Sequence, residues 1–191
     1  MKKEVKRKSI HVLSVLFIVP LFVRPEIFNE LIYASLSIGL RLEIVRFYTG
    51  SLIMFDELLR DYERKNVAGY FNLVLGFTLL VSFTSNSVLI ISGILIAALS
   101  DAIGAIVGTL YGSRVRTING KRRSLEGTLA GFLTSLAILV PLLGPITGLI
   151  GAVLYVLNDL FRPGDDNISN PLVPLVAWNL VNFSRRILLG A

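Results

Sequence analysis

Asp101 is an acidic residue that follows a long apolar run. No Asp, Glu, Lys or Arg occurs from residue 66 to residue 100, and Asp101 comes directly after Ser100. A carboxylate inside a bilayer costs roughly 2.5–3.5 kcal/mol on insertion scales, so it normally faces the protein interior, water or a cation. The position of Asp101 therefore predicts an inward-facing side chain with a functional role.

Three glycines follow Asp101 at intervals of four residues: Gly104, Gly108 and Gly112. Residues with this spacing lie on one face of a helix, and a stripe of small residues lets a second backbone approach closely. We expect the stripe to be a structural element near the site. It would serve packing within one subunit or between two, so a homo-oligomer is one of the expected partners.

A basic segment comes next, from residue 113 to residue 128. It contains five Lys or Arg residues and two glycines, and it ends where a helix is expected to begin. Cations and the free backbone N–H groups of a helix start can hold phosphate groups. By itself such a segment usually marks only the cytoplasmic side of a membrane protein. Glu126 and the upstream Asp101 add carboxylates that suit a Mg²⁺ ion bridging phosphate oxygens.

A second acidic patch, Asp165 and Asp166, precedes Asn167, Ser169 and Pro171. Residues of these types also form helix caps and turns, which is the structural alternative. A role in binding metal or phosphate stays open beside it.

Two further pairs of polar residues have helical spacing near the N-terminal end. Lys8 and His11 are three residues apart and share a helix face, as do Glu43 and Arg46. An interfacial histidine and an intrahelical ion pair are the structural alternatives to a functional role.

The composition indicates the class of protein in which these residues must be positioned. Apolar residues make up 53% of the chain and charged residues 17%, with a mean hydropathy of +0.71 and no cysteine. Two runs without charge, residues 66–100 and 127–158, are each longer than the roughly 20 apolar residues that cross a bilayer once. A soluble globular fold, a disordered chain, a disulfide framework and a thiolate metal site are excluded.

Hydropathy predicts an all-α protein: a polytopic integral membrane bundle of about seven transmembrane helices in one domain, residues 1–191. The long runs divide at residues 84–87 and at the two prolines Pro141 and Pro145, which we expect to form a turn. The predicted spans are residues 9–23, 26–46, 67–83, 88–112, 127–140, 146–160 and 171–189, with a polar piece at 50–65.

The positive charges predict the orientation. With the N-terminus in the cytoplasm, all of the 19 Lys and Arg residues except Arg24, Arg185 and Arg186 fall on the cytoplasmic side. The net charge of +6 is thereby explained by topology, and no nucleic acid is expected as a partner.

Taken in order, these residues resemble the polyprenol kinase family, which comprises dolichol kinases, phytol kinases and CTP-dependent diacylglycerol kinases. The resemblance covers most of the chain. Its elements are Arg7-Lys8 with His11, Glu43 with Arg46, residues 64–76, Ser100 to Gly112 followed by Arg123 to Thr128, and Asp166-Asn167 with Pro171. One position departs from the family, which usually has lysine where Arg123 stands, and Lys121 lies two residues earlier. Arginine binds phosphate as a fork and lysine as a point charge, so the contacting cation stays open.

The resemblance implies a CTP-dependent kinase that phosphorylates a membrane isoprenoid alcohol, of dolichol or polyprenol type, at the cytoplasmic membrane face. The implied partners are a nucleoside triphosphate, the lipid alcohol and membrane lipid, and the implied cofactor is Mg²⁺. The residues implicated in nucleotide binding are Arg114, Lys121, Arg122, Arg123, Ser124, Gly127 and Thr128. The expected Mg²⁺ ligands are Asp101, Glu126 and Asp166, and the expected catalytic residues are Asp101, Asp166, Lys8 and His11.

Several alternatives remain at this point. A cytidylyltransferase that makes a CDP-activated lipid would use the same nucleotide, and a kinase of phytol, geranylgeraniol or diacylglycerol would differ only in its acceptor. An anion transporter is the alternative that is not an enzyme. Such a transporter predicts an internal repeat with discontinuous helices, whereas the Asp101 segment and the basic segment each occur once in the sequence.

Overall fold

The computed structural model describes residues 8, 11–51, 59, 63, 64, 66–118, 121–161 and 166–189. These residues form seven helices and one two-stranded ribbon, so the protein is mostly helical, as predicted. The elements are α1 (His11–Val23), α2 (Pro25–Thr49), α3 (Gly69–Phe83), α4 (Ser87–Tyr111), β1 (Val115–Ile118), β2 (Lys121–Ser124), α5 (Leu125–Leu143), α6 (Pro145–Phe161) and α7 (Val173–Leu189). Two helices contain a short stretch that is not α-helical. Residues Ser14–Phe17 within α1 form a tighter 3₁₀ turn, and residues Ile96–Ser100 within α4 form a wider π turn.

Local sequence signals explain where the central helices start. Asn86 caps α4, because its side-chain oxygen accepts hydrogen bonds from the backbone N–H groups of Val88 and Leu89 at 2.9 and 3.3 Å. Ser124 caps α5 in the same way, with its hydroxyl oxygen 3.1 Å from the nitrogen of Gly127. The break predicted at residues 84–87 thus lies between α3 and α4.

The turn after α5 differs from the prediction. Pro141 lies inside α5, which continues to Leu143, and the chain turns at Gly144. Gly144 has a φ of 84°, a conformation that glycine adopts without steric cost. Pro141 removes only one hydrogen-bond donor in the last turn of the helix, whereas Pro145 occupies the first position of α6, where no donor is needed.

The basic segment contains a β-ribbon, which was not predicted from the sequence. Strands β1 and β2 pair antiparallel, with Val115 opposite Ser124, Arg116 opposite Arg123, Thr117 opposite Arg122 and Ile118 opposite Lys121. The β-branched residues of β1 favour strand structure. The sequence between the strands is Asn119-Gly120, the dipeptide that most favours a two-residue hairpin connection.

Helices α4 and α5 pack backbone against backbone through glycines. A Cβ atom added to Gly104 would lie 3.1 Å from the carbonyl oxygen of Gly127, and one added to Gly108 would lie 3.4 Å from the Cα atom of Gly127. Larger residues at these positions would push the helices apart. The contact fixes the distance from Asp101, on α4, to the ribbon that leads into α5.

Two apolar clusters form the interior. One joins α1, α2, α3 and α4, where the rings of Phe17 and Phe77 meet edge to face with centroids 5.9 Å apart. The other joins α4, α5, α6 and α7 around Ile96, Leu139, Tyr155 and Val173. The candidate site lies among the helices of the second cluster.

The apolar surface favours association with a membrane. Helices α4 and α5 are long and apolar enough to cross a bilayer, and α1, α3 and α6 are shorter apolar helices. Along α6 an outward stripe consists entirely of large apolar side chains that are 44–60% exposed: Ile146, Leu149, Val153 and Leu157. The exposed face of a helix in a soluble protein is normally polar. The number of spans and their orientation remain predictions.

Candidate active site

Three buried carboxylates come together between α4, α6 and the segment before α7. Asp101, Asp159 and Asp166 each offer an oxygen atom, and these three atoms lie within 4.8 Å of one another. The three residues are between 5% and 9% exposed. Like charges this close repel strongly in a buried setting, so the group requires cations or protons beside it.

The three carboxylates lie on three different segments of the chain. Asp101 lies in the middle of α4, directly after the π turn, and such turns within helices are frequent at functional sites. Asp159 lies in the last turn of α6, and Asp166 precedes the 3₁₀ turn Asn170–Leu172 that leads into α7. The group therefore depends on how three separate segments pack.

Two basic side chains balance the carboxylates. The Nζ atom of Lys8 donates a hydrogen bond to Oδ2 of Asp101, and both side chains are nearly inaccessible to solvent. The Nη2 atom of Arg123 lies 2.6 Å from Oδ1 of Asp159 and 3.0 Å from Oδ2 of Asp166. Each carboxylate thus has a cation at contact distance.

The segment that carries Asp166 is held by its neighbours. The side-chain amide of Asn167 donates a hydrogen bond to the carbonyl oxygen of Gly69, at the start of α3, at 3.2 Å. The amide of Asn158 donates to the side-chain oxygen of Asn170 at 2.7 Å. The segment also packs closely against α3 at Gly76, because a Cβ atom added there would lie 2.8 Å from the carbonyl oxygens of residues 167 and 168. These contacts hold Asp166 in place.

A second buried network joins α2 to the start of α3. The guanidinium of Arg46 donates two hydrogen bonds to the carboxylate of Glu43, at 2.6 and 3.1 Å. It also donates to the carbonyl oxygens of Glu63 and Asn66, at 2.8 and 2.7 Å. The predicted ion pair within α2 is therefore part of a larger structural network, and that network reaches Asn167 through the start of α3.

Four of the predicted site residues meet in the carboxylate group: Lys8, Asp101, Arg123 and Asp166. His11 is buried in the first turn of α1. Arg114 is exposed directly before the ribbon and Arg122 is exposed on it. Ser124 caps α5, and Thr128 is half-buried in the first turn of that helix. Gly127 packs against Gly104 and Gly108, and Gly112 packs against Ser124. Arg7, Asp165 and the side chain of Lys121 lie outside the described part of the structure.

Glu126 lies outside the carboxylate group, and its expected role as a Mg²⁺ ligand stays a prediction. Its Oε1 atom accepts hydrogen bonds from the backbone N–H of Ser113, at 3.1 Å, and from the Ser113 hydroxyl. Because Glu126 is at the very start of α5, its side chain reaches the end of the ribbon instead of Asp101. The structure groups Asp159 with Asp101 and Asp166 in its place.

Asp159 was missed, although a signal for it was present. It is the single acidic residue within the predicted span 146–160. The argument applied to Asp101, that a carboxylate in an apolar span faces inward, applies to it equally.

The donor chemistry of the group suits Mg²⁺. This ion prefers oxygen ligands and is commonly held by one or two carboxylates together with substrate phosphates. Asp101, Asp159 and Asp166 supply carboxylate oxygens close enough to share one cation. The arginines of the basic ribbon carry N–H donors of the kind that phosphate oxygens accept.

Comparison with known proteins adds one relative. Over 97 residues the chain is 35% identical to a phytol kinase of Synechocystis sp., a region that covers 45% of this chain. The same region is 42% of the phytol kinase, so less than half of that relative's length is matched. No family model and no solved structure matches the chain. The similarity confirms the predicted relationship to the polyprenol and phytol kinases, at a distance.

Proposed function

We propose that this chain, a distant relative of the polyprenol and phytol kinases, is a CTP-dependent kinase of isoprenoid alcohols. It would transfer the γ-phosphoryl group of CTP to the hydroxyl of a polyprenol at the cytoplasmic face of a membrane that it spans several times. The observation that carries this proposal is the group of three buried carboxylates, Asp101, Asp159 and Asp166, beside a ribbon of arginines.

The reaction needs charge neutralisation and positioning more than it needs a nucleophilic side chain. Asp101, Asp159 and Asp166 would hold Mg²⁺, which neutralises charge on the phosphate oxygens when it is bound. The alcohol oxygen forms a bond to the γ-phosphorus, the bond from that phosphorus to the β–γ bridging oxygen breaks, and CDP leaves. Asp101 or Asp166 accepts the alcohol proton, and these two assignments remain alternatives.

The basic ribbon and the start of α5 would hold the triphosphate. Arg123 lies on the ribbon and pairs with two of the carboxylates. Of the other predicted contacts, Arg114 directly precedes the ribbon, Lys121 lies on it, and Ser124, Gly127 and Thr128 lie where it meets α5. Arg122 lies on the ribbon face opposite to that of Arg123, so it is not part of this proposal. Backbone N–H groups at the helix start add a positive field for an anion.

Lys8 and His11 approach the site from the N-terminal helix. Lys8 pairs with Asp101, so it would hold that carboxylate in place. His11 lies about one helical turn further along and is buried. We propose that both act at the hydroxyl end of the lipid, where α1 meets α4.

The lipid alcohol would enter sideways between helices, with its tail in the hydrocarbon and its hydroxyl at the interface. The outward apolar stripe of α6 supports a lipid environment, and Asp159 lies at the end of the same helix. The relative named above is a phytol kinase, which supports phytol as a second acceptor to be tested beside longer polyprenols.

The test is a matrix of nucleotides against lipid alcohols. Purified full-length chain in nanodiscs is supplied with Mg²⁺, one of CTP, ATP, GTP or UTP, and one of a polyprenol, phytol, geranylgeraniol or diacylglycerol. We expect a phosphorylated isoprenoid and CDP, detected by mass spectrometry. Release of pyrophosphate with a CDP-lipid would instead show a cytidylyltransferase, and anion flux into liposomes without nucleotide would show a transporter.

The matched variant is Asp101→Asn, which keeps the size of the side chain and removes its charge. We expect the variant to lose phosphorylation while it elutes from a sizing column as the wild type does. Wild-type rates in this variant would refute the assignment of the site.

A further inference from the structure

The β1–β2 ribbon distributes its arginines between two faces. Arg116 lies opposite Arg123, and Thr117 lies opposite Arg122. Directly opposed residues in an antiparallel pair project to the same side, and successive residues of a strand project to opposite sides. Arg116 and Arg123 therefore share one face, and Arg122 lies on the other.

The face that carries Arg123 is the one turned toward the carboxylates. The Nη2 atom of Arg123 lies 2.6 Å from Asp159 and 3.0 Å from Asp166. Arg116 is exposed on this same face. Within the described part of the chain, Arg116 forms no ion pair, so its guanidinium is available to a ligand that reaches the carboxylates.

The carboxylates offset the charge of Arg123, whereas the charge of the opposed Arg116 has no counter-charge among the described residues. Opposed side chains have Cβ atoms about 4.5–5.5 Å apart, and like charges at that separation destabilise the strand pair. The carboxylates contact only the Nη2 end of Arg123, and among the described residues its buried Nε atom has no hydrogen-bond partner. Two planar guanidinium groups with free donors form a suitable cradle for a phosphate group.

We propose that Arg116 binds a nucleotide phosphate together with Arg123, and that Arg122 does not face this phosphate. This inference rests on the proposed kinase function, because it identifies which ribbon residue contacts the phosphoryl donor. The nucleotide-binding residues expected from the sequence include Arg114 and Arg122 but not Arg116. The strand register separates Arg116, which lies opposite Arg123, from Arg122, which lies on the other face of the ribbon.

The experiment compares two arginines of one ribbon. Arg116→Ala and Arg122→Ala are measured in nanodiscs of zwitterionic lipid, with CTP varied at saturating alcohol. We expect Arg116→Ala to raise the KM for CTP by about tenfold to a hundredfold, the loss typical of a charge-assisted hydrogen bond. Arg122→Ala should have a clearly smaller effect. Arg116→Lys should be intermediate, because lysine keeps the charge but not the fork.

A second measurement does not require turnover. The upward shift of the melting temperature produced by Mg²⁺ and CTP should be reduced in Arg116→Ala and retained in Arg41→Ala, a variant of an exposed arginine on α2. The KM for the lipid alcohol should not change in either variant.

The outcomes separate this inference from the proposed function. Wild-type chain that neither binds nor uses a nucleotide would overturn the proposed function, and the Arg116 assignment with it. An active wild type in which Arg116→Ala and Arg122→Ala raise the KM for CTP equally would overturn only the Arg116 assignment. A defect of Arg116→Ala confined to activation by added anionic lipid would also overturn it, since the residue would then bind a lipid headgroup.

Discussion

Asp101, Asp159 and Asp166 lie close enough to repel one another, and Lys8 and Arg123 offset that repulsion. A buried carboxylate in contact with a cation is stable only while both partners are present. Taking away one partner of a buried pair typically costs about 3–5 kcal/mol, because the remaining charge has no compensation. The same residues therefore govern stability and the proposed chemistry.

Single substitutions test which carboxylates bind Mg²⁺. Asp159→Asn should lower kcat by at least about a hundredfold and raise the Mg²⁺ concentration needed for half-maximal rate, since a ligand is lost. Glu126→Gln should reduce kcat by less than about tenfold, because the carboxylate of Glu126 bonds to Ser113. Steady-state rates over a Mg²⁺ titration measure both. A larger loss in Glu126→Gln than in Asp159→Asn would restore the ligand set expected from the motif.

The Lys8–Asp101 pair gives a second test at the scale of residues. Lys8→Met should destabilise the protein by about 3–5 kcal/mol, and adding Asp101→Asn should recover most of that loss, because no unpaired charge then remains. Unfolding in mixed micelles can be followed by the fluorescence of Trp178, the single tryptophan. Equal destabilisation by the single and the double variant would show that the two residues are not coupled.

At the scale of elements, contacts between backbones decide where the functional residues lie. The glycines of α4 and α5 bring these helices together, and the network around Glu43 and Arg46 holds α2 against the start of α3. The start of α3 in turn binds Asn167, which is adjacent to Asp166. Asp101 and Asp166 are thus each held by an element that carries no carboxylate of the group, α5 for Asp101 and α3 for Asp166.

The α4–α5 contact is tested by adding one methyl group. A Cβ atom on Gly127 would lie 2.7 Å from the carbonyl oxygen of Gly104 and 2.9 Å from the Cα atom of Gly108. Gly127→Ala should therefore destabilise the fold by about 1–3 kcal/mol, the usual cost of overpacking. Ala137→Val, on the exposed side of α5, is the control and should leave the melting temperature nearly unchanged. A melting temperature for Gly127→Ala equal to that of the control would contradict the backbone contact.

The whole molecule exposes an apolar surface that water would solvate poorly, which supports association with a membrane. Helix α4 has 25 residues, and at about 1.5 Å per residue it exceeds the roughly 30 Å hydrocarbon core. Its two ends would then lie on opposite membrane faces. The proposed active site would be on the face of the ribbon.

The absence of cysteine makes this topology simple to test, because the wild-type chain has no thiol to label. Thr117→Cys on the ribbon and Ser85→Cys before α4 each introduce one exposed thiol. A membrane-impermeant maleimide should label Thr117→Cys only from the cytoplasmic side and Ser85→Cys only from the opposite side. Labelling of both from one side would contradict a membrane crossing by α4.

Local properties of the sequence were sufficient to predict the helices. Hydropathy and helix-stopping residues located all seven helices of the described chain to within a few residues, since both act over neighbouring positions. The exception at Pro141 arose because a proline in the last turn costs one hydrogen bond, whereas the chain reversal needed the positive φ of Gly144. The ribbon was missed because charge dominated the interpretation of a segment whose alternating β-branched residues favour strands.

The sequence by itself determined the apolar helical class, the inward position of Asp101 and the distant relationship to the polyprenol and phytol kinases. Only the tertiary structure decided which charges meet. Lys8 reaches Asp101 across 93 residues, and Arg123 reaches Asp159 and Asp166 while the nearby Glu126 turns away. Spacing along a chain specifies which residues share a helix or strand face, but contacts between elements depend on how closely the backbones pack. Here the glycines of α4, α5 and α3 set that distance, and their effect appears only when the elements are placed together.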